Sequence, residues 1–276
     1  MISFYKVKQL EPWDLVKGDC NHLFIATFDE VSRAIRNAGL ESSNVIIGID
    51  FTASNEWQGR KSFAGRSLHH IFNSARKLNP YQRVVQIISK TLEPFDEDNL
   101  IPAYGFGDSV TKDQSVFSFN ADGSPCKGLD DVLRKYSEVV RRVTLSGPTT
   151  FAPLINKAIE IVKQERSFNI LVIIADGQVV EEHDHSTREA IVQASNFPLA
   201  ILVVGVGDGP WDQMHEYDEL LPQRRFDNFQ FIEFENVIRN AKYPDTAFAL
   251  QALMEIPDQF KAIKELGLID MKSKDD

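Results

Sequence analysis

The chain has 276 residues, 43% of them hydrophobic, and a formal net charge of −10. That length suits one α/β domain with a small extension. The acidic balance argues against a nucleic-acid partner, because phosphate backbones reward Lys and Arg. Two cysteines, Cys20 and Cys126, exclude a disulfide scaffold and a Cys-rich zinc site, and they fit a reducing compartment. The N-terminus has no long apolar region and no run approaches ~18 apolar residues, so neither a secretory signal nor a membrane span is expected. The expected location is the cytoplasm.

Residues 1–21 are polar, without a clear period, and read as an N-terminal extension. Thr27 and Glu30 form a capping box for a helix carried by Phe28, Val31, Ala34 and Ile35 and stopped near Gly39. Asn44 to Phe51 reads as a strand. Its Val45, Ile46, Ile47 and Ile49 are continuous rather than alternating, as in a parallel sheet covered on both faces. A polar loop runs to about Leu78. Asn79-Pro80 then opens a helix through Val84, Val85, Ile88 and Leu92. Leu100 to Phe106 is a second strand, Gly107-Asp108 a turn, and Val116 to Phe119 a third strand. That connection is too short for a crossover, so the pair is an antiparallel hairpin. Helices over 128–142 and 151–166 flank the loop Ser146-Gly147-Pro148-Thr149-Thr150. Asn169 to Ala175 is the fourth strand, Ser186 to Ser195 a short helix, Leu199 to Val206 the fifth strand and Gln230 to Phe234 the sixth. A helix over about 245–265 turns Phe248, Leu250, Leu253 and Met254 inward, and 266–276 is a polar tail. The alternation predicts an α/β fold: a doubly wound, mostly parallel six-stranded sheet with one antiparallel edge strand and helices on both faces, over residues 22–265.

In such sheets ligands bind at the carboxyl ends of the strands, near the point where strand order reverses. Three polar clusters are expected to meet there: Asp50, Thr52 and Ser54 after the first strand, Thr149 between two helices, and Asp176 after the fourth strand. All offer oxygen and none offers sulfur or imidazole, which favours a hard cation such as Mg²⁺, Mn²⁺ or Ca²⁺. Either aspartate alone reads more simply as the cap of a helix start after its strand; the spaced Asp-x-Thr-x-Ser with Thr149 and Asp176 in order argues for a shared centre.

Asp50-x-Thr52-x-Ser54 resembles the Asp-x-Ser-x-Ser motif of von Willebrand factor A domains. Their metal-ion-dependent adhesion site is completed by a Thr and an Asp on two later loops, positions that Thr149 and Asp176 match. Thr52 departs from the first Ser but keeps the hydroxyl. The chain is similar in particular to the copine A domain and to the copine-like domain of plant RING-type ubiquitin ligases. The matching stretches are Gly39-Leu40-Glu41-Ser42-Ser43-Asn44, Gly48-Ile49-Asp50-Phe51-Thr52-Ala53-Ser54-Asn55-Glu56-Trp57, Asn79-Pro80-Tyr81 and Tyr104-Gly105-Phe106-Gly107-Asp108. They continue with Ser146-Gly147-Pro148-Thr149, Ile174-Ala175-Asp176-Gly177, Gly205 to Trp211, and Phe226 to Phe231. The resemblance implies a protein-binding module. Mg²⁺ or Mn²⁺, with Ca²⁺ third, is held by Thr52, Ser54 and Thr149 and by Asp50 and Asp176 directly or through water, and a partner's carboxylate completes the sphere. Copines carry two C2 domains before this one, for which the first twenty residues leave no room. The plant ligases carry a C-terminal RING with about eight Cys/His zinc ligands, and Lys261 to Asp276 has neither residue. Membrane or ubiquitin-system association is therefore expected only through partners, with no direct membrane insertion.

Two other classes stay open: an enzyme (a ubiquitin ligase component or a metal-dependent hydrolase) and a metal-independent scaffold. Metal hydrolysis needs a positioned base, and no candidate stands out beyond the ligand carboxylates. Gly205-x-Gly207-x-Gly209 lacks the third spaced glycine of a dinucleotide loop. His183 and His185 read as part of a solvated acidic loop, with a second metal site as the alternative, His69-His70 as surface or local packing, and Asp108 as the end of the hairpin, with a place near the metal as the alternative. Trp57 and Arg60 are expected as partner contacts, with a core position as the alternative for Trp57.

Overall fold

The computed structural model describes residues 27–269, apart from 75, 97, 178, 222 and 223. The strands are β1 (Asn44–Asp50), β2 (Leu100–Ile101), β3 (Ala103–Phe106), β4 (Phe117–Ser118), β5 (Cys126–Lys127), β6 (Asn169–Ala175), β7 (Leu199–Gly205) and β8 (Phe229–Glu233). The α-helices are α1 (Phe28–Asn37), α2 (Pro80–Leu92), α3 (Gly128–Val140), α4 (Ala152–Glu165), α5 (Glu181–Ala194), α6 (Asp212–Leu220), α7 (Phe234–Asn240), α8 (Pro244–Leu253) and α9 (Ile256–Glu265).

Six strands form the main sheet in the order β4-β3-β1-β6-β7-β8, with β4 antiparallel at the edge and the others parallel. The apolar runs of β1, β6 and β7 alternate between two cores. Ile47, Ile49, Val172, Ile174, Leu202 and Val204 face the helices α1, α2, α3, α8 and α9. Ile46, Leu171, Ile173, Ile201 and Val203 face α4, α5 and α6. A strand buried on both faces has no reason to alternate in polarity, which is why these segments read as unbroken apolar runs. From β1 the chain builds first toward β3 and then, on the other side, toward β6. Strand order therefore reverses between β1 and β6, the crevice where such sheets take ligands.

Both capped helix starts form as expected. Thr27 accepts from Glu30 N at the start of α1, and Asn79 accepts from Gln82 N at the start of α2, each with the reciprocal bond. Several boundaries differ from the sequence expectation. Pro102 breaks the stretch 100–106, because it has no N–H for a ladder; Leu100 and Ile101 pair instead with β5 in a separate ribbon. The expected helix over 245–265 is two helices, with Pro257 in the first turn of the second. Helix α5 starts at Glu181, so His183 and His185 sit on a helix rather than in a loop. Helices α6 and α7 were not anticipated. Leu266, Leu268 and Ile269 pack on the core, so the first part of the expected polar tail belongs to the domain. The expected extension 1–21, with Cys20, and residues 270–276 lie outside the described residues. Among the described residues no helix is long and apolar enough to cross a membrane.

Gly48 lets α4 lie close on β1. A methyl group there would overlap the side chain of Leu154, which is fully buried and cannot swing away. Gly48→Ala should lower stability in urea by about 1–3 kcal/mol, the usual cost of overpacking. In a double-mutant cycle the added cost should largely vanish on a Leu154→Ala background.

Candidate metal centre

Asp50 is the last residue of β1 and Asp176 the first after β6, and the register pairs Ile49 with Ile174. The two aspartates therefore leave the sheet side by side, and both are fully buried. Asp50 Oδ1 accepts a 2.8 Å hydrogen bond from its own chain two residues on, at Thr52 N. This side-chain-closed turn leads into a 3-10 turn, Ala53–Glu56. It brings Thr52 Oγ1 to 2.9 Å from Ser54 Oγ, and Ser54 Oγ donates to Asp176 Oδ1 at 2.9 Å. Ser54 has one hydroxyl proton, so Thr52 is the donor in the first of these bonds. The chain of contacts thus runs Thr52 to Ser54 to Asp176, across 122 residues of sequence.

Each carboxylate uses one oxygen in this way. Among the described residues no N–H or O–H donates to the second oxygens, Asp50 Oδ2 and Asp176 Oδ2, and both are buried. An unpaired buried acceptor costs the desolvation of that group, about 1–3 kcal/mol and more when charged. Burial is the main force on both acids: it raises the Asp50 carboxyl to about 6, against hydrogen bonds with Thr52 and then Asp176 that lower it. Asp176 is raised well above the ordinary carboxylate range, first by burial and then by the charge of Asp50.

The third loop is stitched to the first. Ala53 N donates to Ser146 O at 2.7 Å and Ser146 N to Phe51 O at 3.2 Å, while Val180 N donates to Thr149 O at 3.2 Å. Thr149 is nearly buried in this adjoining loop, and its hydroxyl makes none of the hydrogen bonds just described. All five expected residues therefore stand on three loops at the same sheet edge, with Asp50, Thr52, Ser54 and Asp176 linked directly.

The donor set is two carboxylates and hydroxyls. Among the described residues no group of three or more His, Cys, Asp or Glu is placed to hold a metal ion. Oxygen donors with two such carboxylate oxygens suit a hard divalent cation, which would neutralise the pair and take up those acceptors.

Two neighbours escaped the sequence reading. Gly107 has φ +77°, and a methyl group on it would fall 2.5 Å from Thr52 Cγ2 and 3.5 Å from Asp50 Oδ1. The bare glycine makes room for the methyl that distinguishes Thr52 from Ser. The second is His69, which is 4% exposed and packed beneath the first loop with a ring nitrogen 2.8 Å from Asp50 O. Local packing was one of its two expected roles; the link to Asp50 was not foreseen, since only its aromatic neighbours in the fold reveal it.

The remaining signals resolve into structure. Asp108 accepts from Val110 N and Thr111 N and so closes its own turn. The glycines of 205–209 accommodate other groups: Gly205 and Gly209 lie against Trp211, and Gly207 against Gln58. Gln58 donates to Gly209 O, and Lys61 N and Ser62 N donate to Asp208, pinning the first loop to the end of β7. Trp57 is half exposed at 48%, outside the core.

A doubly wound sheet with an Asp-x-Thr-x-Ser arm and an aspartate at its switch point defines a von Willebrand factor A-type domain. A family model described as Copine matches residues 67–272, and the chain belongs to the copine family. The E3 ubiquitin-protein ligase RGLG1 of Arabidopsis thaliana is 52% identical over 258 residues, covering 88% of this chain and 52% of that protein. Copine family protein 1 of Caenorhabditis elegans is 52% identical over 251 residues, covering 90% of this chain and 22% of that protein. The chain thus spans about half the length of the first relative and under a quarter of the second. A solved von Willebrand factor type A structure from Catenulispora acidiphila aligns with TM-score 0.46 and 14% identity, over 80% of this chain and 43% of that one.

The raised Asp50 carboxyl has a consequence in metal-free solution. Its ordinary value is 3.8 and its folded value about 6. Folding therefore takes up a proton in that window, and the stability this brings is full below about pH 4 and lost as pH rises through 6. In EDTA, Asp50→Asn should gain melting temperature relative to wild type as pH goes from 5 to 7, read by circular dichroism. An unchanged difference would show that the carboxyl is not strained by burial.

Proposed function

We propose that the chain is a divalent-cation-dependent protein-binding module. Thr52, Ser54 and Thr149 hold Mg²⁺ or Mn²⁺ through their hydroxyls, and Asp50 and Asp176 hold it directly or through water. The ion supplies an electrophilic point for a carboxylate of a partner protein. The observation that carries this reading is the pair of buried carboxylate oxygens on adjacent strand ends to which no group among the described residues donates. Two carboxylates balance the charge of the cation, and an acidic side chain of the partner adds the remaining oxygen donor. Ca²⁺ accepts more ligands at longer distances and suits this small donor set less well.

Binding is favoured over hydrolysis by the state of the nearest imidazole. Both nitrogens of His69 are engaged, and burial pushes its pKa down to about 3, so it has no free lone pair to take a proton from water. The metal-independent scaffold is disfavoured by the same orphaned oxygens, which a purely structural edge has no reason to keep. In relatives named as E3 ubiquitin-protein ligases, a module of this kind would select the protein bound; any role of this chain in ubiquitin transfer or at a membrane would pass through its partner. Half-exposed Trp57, beside the first arm, is assigned to the partner contact, together with Arg60.

Millimolar Mg²⁺ or Mn²⁺ should raise the melting temperature of the chain, since a ligand at 100 times its Kd adds about 2.7 kcal/mol to the native state. EDTA should reverse the shift and Asp50→Ala should abolish it. Capture of an acidic-peptide partner should follow the same pattern. Metal binding that survives unchanged in Asp50→Ala would refute the assignment.

A further inference from the structure

The aromatic cluster under the first loop contains a hydrogen-bond chain whose direction is fixed by valence. Asp50 O is a carbonyl and can only accept, so the His69 nitrogen 2.8 Å away, Nε2, carries a proton. The ring is buried and neutral, which leaves Nδ1 as a bare acceptor. Tyr136 Oη, 2.7 Å from it, is therefore the donor. Tyr136 Oη in turn accepts from Asn79 Nδ2 at 3.0 Å. The orientation of that amide is set by its other end, since Asn79 Oδ1 accepts from Gln82 N in the cap of α2. One unbroken relay thus runs from the cap of α2, through Tyr136 on α3, to the main chain of Asp50.

The imidazole is also clamped flat. It stacks on Phe51 at 4.7 Å and 6° and on Tyr81 at 4.4 Å and 14°. A parallel strut holds the carbonyl two residues on: Tyr81 Oη donates to Asn55 Oδ1 at 2.7 Å, and Asn55 Nδ2 donates to Thr52 O at 3.0 Å and, at 3.5 Å, to Asp50 O as well. The main-chain oxygens of Asp50 and Thr52 are both fixed from below, while their side chains face the centre above.

We propose that His69 is a positioning residue of this centre: its Nε2–H bond to the Asp50 carbonyl fixes the main chain carrying the first arm and thereby sets cation affinity without contact with the ion. The inference rests on the reading of the centre as a divalent-cation site. Groups that orient metal ligands typically cost 10–100-fold in affinity when removed.

Two substitutions separate the hydrogen bond from the packing. His69→Phe keeps a flat ring between Phe51 and Tyr81 and loses the donor. His69→Gln keeps an amide N–H that can reach the Asp50 carbonyl and loses the ring. Mn²⁺ affinity is measured by titration calorimetry at pH 7.5, with Asp50→Ala as the control and circular dichroism as the check of folding. His69→Phe should weaken Mn²⁺ by about tenfold or more, and His69→Gln should retain most of the wild-type affinity. The reverse order, or equal affinity in both variants, would overturn the proposal. A role in packing alone moves His69→Gln and spares His69→Phe. Long-range ¹H–¹⁵N spectra of the wild type give a readout that does not depend on either variant folding. The His69 signal, identified among the six histidines by its loss in a His69 variant or by sequential assignment, should show the Nε2–H tautomer and should shift on addition of Mg²⁺. An Nδ1–H tautomer, or a signal indifferent to Mg²⁺, would overturn it. Failure of the wild type to bind Mn²⁺ would instead remove the cation reading, and this inference with it.

Discussion

Two carboxylates share the crevice where β1 and β6 leave the sheet, and each keeps one buried oxygen to which no group among the described residues donates. In a medium of low dielectric this is an expensive arrangement: burial disfavours both charged forms, and the charge of Asp50 further disfavours that of Asp176. The raised Asp50 and Asp176 carboxyls express that cost. A polypeptide that could relax would turn these groups toward water or toward donors. Here the parallel register of β1 and β6 and the double-faced core hold the strand ends in place, so the strain is retained at one edge. On the proposed reading a divalent cation would relieve it, because it supplies opposite charge and accepts oxygen donors together.

The surroundings are built to keep the first arm still. Asp50 closes its own turn onto Thr52 N, the third loop pairs with residues 51 and 53, and Asp208 and Gln58 tie the outer part of the first loop to the end of β7. Below the arm, the Asn79–Tyr136–His69 relay and the Tyr81–Asn55 strut reach its carbonyls from two different helices. Gly107 leaves the space that the Thr52 methyl requires. Rigid support of this kind is what a set of hydroxyls would need to hold the proposed cation, since a weak ligand contributes little unless it is already placed.

The main sheet was legible because its central strands are continuous apolar segments of strand length and the helices before and after β1 have sharp starts, at Thr27 with Glu30 and at Asn79 with Pro80. The first arm was legible for the same reason: once Asp50 and Asp176 fall at strand ends, sheet topology brings them together. What could not be read depends on contacts far apart in sequence. His69 stands 67 residues from Tyr136, and nothing in the local pattern of a polar loop marks it as buried. Pro102 and Pro257 did carry a readable signal, since each removes a backbone donor, and the strand and helix drawn through them were too long. Helices α6 and α7 show little apolar period, because their packing relies on a few large side chains such as Tyr217 and Phe234 rather than on a stripe.

The most direct measurement is a crystal of the chain grown or soaked with Mn²⁺ and recorded at the manganese absorption edge. An anomalous peak beside Asp50 and Asp176, within coordination distance of the Thr52 and Ser54 hydroxyls, is the predicted result. A crystal at millimolar Mn²⁺ with no anomalous density there, and with the two orphaned oxygens bonded only to each other or to water, would contradict the central claim.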